Sequence, residues 1–285
     1  MENDIESRIR SQFSEFSKGQ KKIATVILDN YDKAAYMTAA KLGEMVQVSE
    51  STVVRFALEL GYEGYPELQR AVQELVRAKL TSNQRIQISD LRYGDGDILD
   101  GVLTADISKI KYTLENIDRA SFHAAVDAIV KAKRLFIIGA RSTASLASFF
   151  NFNLRLISEN VFLIQAHSKG EVFEQILDIG PEDMLFAISF PRYSTNVINA
   201  VKYAHAQGAV VASLTDSTMS PIAKYAKYVL TAQSDMVSYV DSLVAPLSIL
   251  NAIIVAITKT HREQVTARFD KLERIWDEYD VYAKR

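Results

Sequence analysis

Five short apolar runs in the second half of the chain constrain its fold more than any other feature. They are "RLFIIG" ending at Gly139, "NVFLIQ" at Gln165, "MLFAIS" at Ser189, "AVVASL" at Leu214 and "YVL" at Leu230. Each is too short for a stable helix and too apolar for a strand with one wet face. Helical stretches separate them, and that alternation predicts a parallel sheet covered by helices on both faces. The apolar stretch Leu243–Ile257 is short for a bilayer span and carries Pro246, Ser248 and Asn251. It predicts a buried core helix within a helical C-terminus running from Tyr239 to about Tyr279.

The first eighty residues show only helical periodicity. Ile23, Ile27 and Leu28 form one apolar face, Leu42, Met45 and Val46 a second, and Val53, Phe56, Ala57 and Leu60 a third. Thr38 can cap a helix over Ala39–Val46, "QVS" breaks it, and Ser49 can cap another that ends near Leu60–Gly61. Two short helices joined by a tight turn predict a helix-turn-helix, whose second helix enters the DNA major groove N-terminus first. Its leading residues are Ser49, Glu50, Ser51, Thr52 and Arg55. The hydroxyls can bond phosphates or base edges, and Arg55 can pair with guanine or a phosphate. Acids and bases are nearly balanced over residues 1–80, so one copy gains little from phosphate neutralisation, and a dimer reading two half-sites would compensate. Thr81–Asp97 is polar, holds a Gly-Asp-Gly turn and has no sustained period, which predicts a linker.

A chain of 285 residues, 48 % hydrophobic, can build one large domain or two ordinary ones. Its formal net charge of -2 implies no overall commitment to nucleic acid or membrane, although a small binding domain can hide in that average. The absence of cysteine excludes disulfides, thiolate metal sites and cysteine nucleophiles. The opening "MENDIESRIRSQ" lacks the apolar core of a secretory signal. A cytoplasmic, soluble protein with no membrane partner is expected.

After the first apolar run, Gly139 permits a sharp turn, and Ser142 and Thr143 stand where a helix begins. Free N–H groups and a positive dipole end make that helix start an anion site. A dinucleotide fingerprint needs G-x-G-x-x-G, but Arg141 and Ala144 occupy its second and third glycine positions. No acid follows the next strand, which ends Gln165-Ala166-His167, so no nicotinamide cofactor is expected. No metal site is expected either. After the third run, "SFPRYSTN" brings Ser189, Arg192, Tyr193, Ser194 and Thr195 to another helix start. Such loops can converge at a topological switch point, where open α/β sheets bind ligands.

The stretch "SESTVVRFALELGYEGYPELQ" resembles the RpiR/MurR family of bacterial transcriptional regulators. That family's pattern is matched by Ser49, Thr52, Val53, Arg55, Phe56, Leu60, Gly61, Tyr62, Gly64 and Tyr65. The resemblance implies an α/β protein in two parts: an all-helical helix-turn-helix domain over residues 1–80 and a three-layer sugar isomerase-like (SIS) domain over 106–285, with residues 81–105 as linker. Thr38, ahead of the first of the two short helices, and Tyr62 are expected beside the reading-helix residues as DNA contacts. It further implies double-stranded operator DNA and a small anionic sugar-derived effector as partners, and a homodimer or homotetramer.

SIS domains carry a G-x-G-x-S turn and an S-x-S-G-x-[ST] turn that together hold a phosphate. Here Gly139 and Ser142 keep the outer positions of the first, and Arg141 replaces the inner glycine. In the second, Ser189, Ser194 and Thr195 supply hydroxyls, while Pro191, Arg192 and Tyr193 replace small residues. Arg141 and Arg192 would then supply guanidinium donors in place of close backbone approach. A sugar phosphate is the first choice of ligand and a sugar acid the second. The alternative to a regulator is a phosphosugar isomerase, which needs a general base. His123, His205 and His261 are expected on helix surfaces, while His167 and Glu171 could border the pocket. No base-and-acid pair stands out, so a regulator is expected rather than an enzyme.

Overall fold

A computed structural model of the chain describes residues 5–79, 81–93, 97–166 and 168–283. The chain divides into two compact units, Met1–Gln84 and Arg85–Arg285. The described residues of the first unit form helices α1 (Ile5–Gln12), α2 (Lys18–Asp29), α3 (Tyr31–Ala34), α4 (Ala39–Val46), α5 (Glu50–Glu59) and α6 (Tyr65–Lys79). Local chemistry sets the boundaries. Ser17 and Gln20 form a capping box at α2, and Thr38 and Ser49 cap α4 and α5 through their hydroxyls. Gln47, at φ 58°, ends α4 in the left-handed region, and Gly61, at φ 84°, follows α5.

The core of this unit joins Ile23 and Ile27 of α2, Leu42 and Val46 of α4, and Val53, Phe56 and Ala57 of α5. Phe16 meets Phe56 edge-on at 5.1 Å between ring centroids. Burying a side chain of that size contributes about 1.5–3 kcal/mol. Met45, expected on the buried face of α4, is instead 47 % exposed. An eight-residue helix has room for only a narrow stripe, and Leu42 and Val46 fill it.

The segment expected as a linker contains α7 (Ser82–Tyr93) and the start of α8 (Ile98–Asn116), and the division between units falls within α7. The period was invisible because α7 docks through polar groups. Arg85 is 3 % exposed and pairs with Asp241 at 2.9 Å, and Ser89 Oγ donates to the Val237 carbonyl at 3.0 Å. The expected Gly94-Asp95-Gly96 turn lies outside the described residues.

The second unit continues with α9 (Arg119–Lys131), β1 (Leu135–Gly139), α10 (Thr143–Ile157), β2 (Val161–Ile164), α11 (Lys169–Gln175), β3 (Met184–Ile188) and α12 (Thr195–Ala206). Then come β4 (Val210–Thr215), β5 (Tyr228–Thr231), α13 (Val244–Thr260) and α14 (Arg262–Glu278). The strands form one parallel sheet in the order β2-β1-β3-β4-β5. Every residue of β1 and β3 is buried, as strands covered on both faces require. Ala125, Phe150, Leu250 and Ile253 cover one face, packing on Ile137 and Phe186. Val172, Ile176, Val197 and Val201 cover the other, packing on Phe136, Ile138 and Leu185. The result is the expected three-layer α/β architecture.

The apolar stretch near the C-terminus is a core helix: Ile249, Leu250, Ile253 and Ile257 of α13 are buried. Among the described residues no single helix is long and apolar enough to cross a membrane. The helical C-terminus starts later than expected and is broken. Tyr239–Leu243 is not helical, because Met236 and Asp241 form an antiparallel bridge. At His261 the chain bends by 100° between α13 and α14.

Candidate DNA-reading helix and effector site

The turn between α4 and α5 is held closed by backbone. Val48 N–H donates to the Gly43 carbonyl at 2.9 Å, and a Cβ on Gly43 would stand 2.8 Å from the Val48 carbonyl oxygen. Only glycine lets the two segments approach so closely. From α6, the Tyr65 hydroxyl and Gln69 Nε2 both donate to the Met37 carbonyl, at 2.7 and 2.8 Å. That clamp fixes the residue preceding Thr38, whose hydroxyl accepts from Lys41 N–H at 3.2 Å to start α4. Burial pushes the Tyr65 hydroxyl up to about 12.

Glu50, Ser51 and Arg55 face solvent along α5, and Arg55 makes no hydrogen bond or ion pair among the described residues. Ser49 is used otherwise. Its hydroxyl lies 2.8 Å from Thr52 Oγ1 and 2.9 Å from Ser51 Oγ, and accepts from Thr52 N–H at 3.3 Å. Tyr62 sits beyond the far end of α5, its ring 5.2 Å from the Arg8 guanidinium, which also donates to the Leu60 carbonyl at 3.2 Å. Val53 and Phe56 are buried, while Leu58 is 51 % exposed.

In the second unit, β1 and β3 are neighbours although α10, β2 and α11 intervene in sequence. That makes their carboxyl ends the topological switch point of the sheet. Gly139 pairs with Ile188 there, and a Cβ on Gly139 would lie 2.4 Å from the Thr143 carbonyl oxygen. Thr143, 4 % exposed, latches the two loops together. Its hydroxyl accepts from Ala140 N–H at 3.0 Å and lies 2.9 and 3.0 Å from the Ala140 and Ile188 carbonyls. Counted from Gly139, the serine of G-x-G-x-S falls on Thr143 rather than on Ser142. Ser142 is exposed and makes no capping hydrogen bond.

The two helix starts at the switch point differ. At α10, Thr143 N–H donates to the Ala140 carbonyl at 3.3 Å and Ala144 N–H to the Arg141 carbonyl at 3.1 Å, so the terminus closes on itself. At α12, the N–H groups of Thr195, Asn196 and Val197 have no partner among the described residues. The hydroxyls of Ser194 and Thr195 are also free there, and the 2 % exposed Ser189 adds another. An open helix start carries positive partial charge.

Arg192 and Arg141 face solvent with no ion-pair partner among the described residues. Arg141 holds φ 58°, a left-handed conformation suited to the glycine it replaces. Tyr193 is pinned, its hydroxyl donating to Asp216 Oδ1 at 2.9 Å, where Thr215 Oγ1 also donates at 3.1 Å. Asn196 Nδ2 donates to the Ala166 carbonyl at 3.1 Å, tying α12 to the end of β2. The sequence reading missed Asp216 and Asn196. Their only signal was position, just after a strand and just inside a helix.

Comparison with known proteins gives this arrangement its context. The helix-turn-helix domain of the rpiR family matches residues 3–79, and the SIS domain matches residues 128–256. The chain belongs to the rpiR family. It is similar to the HTH-type transcriptional regulator HexR of Pseudomonas aeruginosa, at 26 % identity over 90 % of each chain. It is likewise similar to the crystallised sugar isomerase domain of an RpiR transcription factor from Sphaerobacter thermophilus. That likeness has 26 % identity and a TM-score of 0.58 over 61 % of this chain and 96 % of that one. The fold over 99 % of this chain also resembles all of the Vibrio vulnificus NanR protein, solved with ManNAc-6P, at 20 % identity and a TM-score of 0.62.

This rpiR-family chain is a DNA-binding transcriptional regulator with a SIS domain rather than an enzyme, as its relatives are named. Its histidines bear on that distinction. His123 and His205 are exposed on helix surfaces, His261 is partly buried at the α13–α14 break, and Glu171, in the first turn of α11, donates its backbone N–H to the capping Ser168 hydroxyl at 3.3 Å. His167 lies outside the described residues. A cavity of about 530 Å³ in the second unit is lined by Asp100, Thr104, Ser108, Lys109, Gln233 and Asp235 among others. None of the expected effector residues lines it. Free donors of a kind suited to an anion are concentrated at the switch point.

Proposed function

We propose that the protein binds operator DNA through α5 and controls a carbohydrate-related catabolic pathway, with a small anionic sugar derivative at the β1/β3 switch point setting its operator affinity. The observation that carries this reading is the open start of α12. Three free N–H groups and the hydroxyls of Ser194 and Thr195 lie in the same loop as an unpaired Arg192. Such a set suits a phosphate or carboxylate. Ser189 and Arg141 extend it from the neighbouring strand ends, and Tyr193 shapes the wall. A sugar phosphate is the preferred ligand and a sugar acid the second, since arginine forks replace glycine backbone here. The NanR complex with ManNAc-6P supports the same class of ligand.

In the DNA-binding unit, Arg55 and the exposed hydroxyl of Ser51 read bases or phosphates, with Thr52 and Glu50 beside them. Ser49 and Thr38 act by starting their helices, and Tyr62 acts by bracing the end of α5. Effector binding shifts operator affinity by favouring one arrangement of a homo-oligomer over another. The setting is cytoplasmic.

A thermal-shift screen against sugar phosphates, sugar acids and polyols tests the pocket. An anionic sugar is expected to raise the melting temperature of the parent, and Arg192→Ala to abolish that rise. An unchanged rise in Arg192→Ala would return the loop to ordinary packing. Arg55→Ala is expected to lose specific operator binding in a gel shift, by about 1–3 kcal/mol, or roughly five- to 150-fold. Parent-like operator affinity in that variant would show that α5 is misassigned as the reading helix.

A further inference from the structure

Helix α8 has its polarity reversed for a helix that only covers a core. Its inward positions include Lys109 and Thr113, 3 % and 6 % exposed. Both are satisfied by polar partners: Lys109 Nζ pairs with Asp106 at 3.3 Å, and Thr113 Oγ1 accepts from Gln233 N–H at 2.9 Å. Ser242 Oγ donates to Asp106 at 2.6 Å on the same side. Its outward positions are Leu99, Leu103, Ile107, Ile110 and Leu114, exposed by 64, 52, 66, 39 and 58 %. These are spaced four, four, three and four residues apart, so they form a single stripe about 22 Å long. The stripe offers roughly 500 Å² of apolar surface, near the upper end of what a lone soluble protein leaves uncovered.

We infer that a second copy of this chain covers the stripe, with α8 packed antiparallel on its own counterpart across a two-fold axis near Ile107. The stripe is almost symmetric about that residue, with Leu99 and Leu103 on one side and Ile110 and Leu114 on the other. Antiparallel self-pairing therefore sets apolar side chains against apolar side chains along its whole length. Charge selects the same orientation. One end of α8 carries Asp97 and Asp100, whereas the other end region is balanced, with Lys111 and Arg119 offset by Glu115 and Asp118. Parallel pairing stacks the aspartates on themselves, whereas antiparallel pairing moves them apart to face an electrically balanced end and opposes the helix dipoles. Two stripes together bury about 1,000 Å², the threshold for a specific interface. The pairing rests on the proposed function in one respect: a two-fold pair is what two operator half-sites require.

The chain has no cysteine, so a single introduced one reports only on itself. Under mild oxidation, Ile107→Cys is expected to form a disulfide-linked dimer. Leu99→Cys and Leu114→Cys each lie more than about 20 Å from their own counterparts in the antiparallel pair. Alone they are expected to stay uncrosslinked, and after mixing and subunit exchange to crosslink to each other. Ile107→Glu is expected to weaken dimerisation at least tenfold in sedimentation velocity, with helix content unchanged by circular dichroism. Self-crosslinking of Leu99→Cys without that of Ile107→Cys would overturn the inference. So would a monomeric parent at micromolar concentration, or an Ile107→Glu dimer as tight as the parent. None of these assays uses DNA or a sugar. A positive crosslink with no operator binding would therefore sink the proposed function and leave the interface standing.

Discussion

Position 141 sets backbone against side chain. An arginine at φ 58° occupies a conformation that costs a residue with a Cβ about 1–2 kcal/mol. Glycine adopts it freely, but loses about 0.4–1 kcal/mol through its floppier unfolded chain. Arg141→Gly is therefore expected to stabilise the second unit by up to about 1 kcal/mol, read as a higher melting temperature without ligand. The same variant is expected to lose part of the anion-induced shift, because the guanidinium goes with the strain. A variant that melted lower than the parent would show that the guanidinium holds the turn. Thr143 makes the complementary point. The sequence suggested a ligand hydroxyl, and the structure places that hydroxyl between the two loops as a latch.

At the scale of elements, the helix-turn-helix stands on one close approach. The Cβ of an alanine at 43 would meet the Val48 carbonyl at 2.8 Å. Gly43→Ala is expected to cost about 1–3 kcal/mol in the first unit and to weaken operator binding. Effector shifts in the second unit should stay at parent level, and a thermal-shift titration beside a gel shift checks both. Much of this was legible in advance. The bounds of α4 and α5 follow from Thr38, Ser49 and Gly61, and the five strands follow from apolar runs that no helix period explains. What escaped reading did so for physical reasons. Helix α7 docks through Arg85 and Ser89, so it shows no apolar period, and α8 presents its apolar residues outward. The site loops were located from their strand ends, but which N–H groups were free depended on how each turn folds back on itself.

For the molecule as a whole, the second unit is fastened at the end of the sheet opposite the site. Arg134 Nε and Nη2 donate to the two oxygens of Asp183 at 2.9 and 2.6 Å, joining the starts of β1 and β3. Those bonds hold the Asp183 carboxyl below its ordinary value, against the opposing effect of burial. A depressed carboxyl stabilises the fold fully above its unfolded pKa, near 4, and the stabilisation is lost as pH falls through the lower folded value. Asp183→Asn is expected to cost about 1–2 kcal/mol at neutral pH, after allowance for Arg134 being about a third exposed. Its deficit should vanish in strong acid, as thermal melts from about pH 7 down to about pH 2 would show. A deficit that persisted unchanged in acid would point to lost packing rather than lost charge.

The left-handed arginine also has an evolutionary side. Every arginine codon lies one base from a glycine codon, so the relaxed backbone at 141 is always a single mutation away. A population selected only for heat resistance would take that step readily, gaining stability and blunting its response to the metabolite. Survivors of such a selection would be enriched in regulators that still grip their operators but listen less closely.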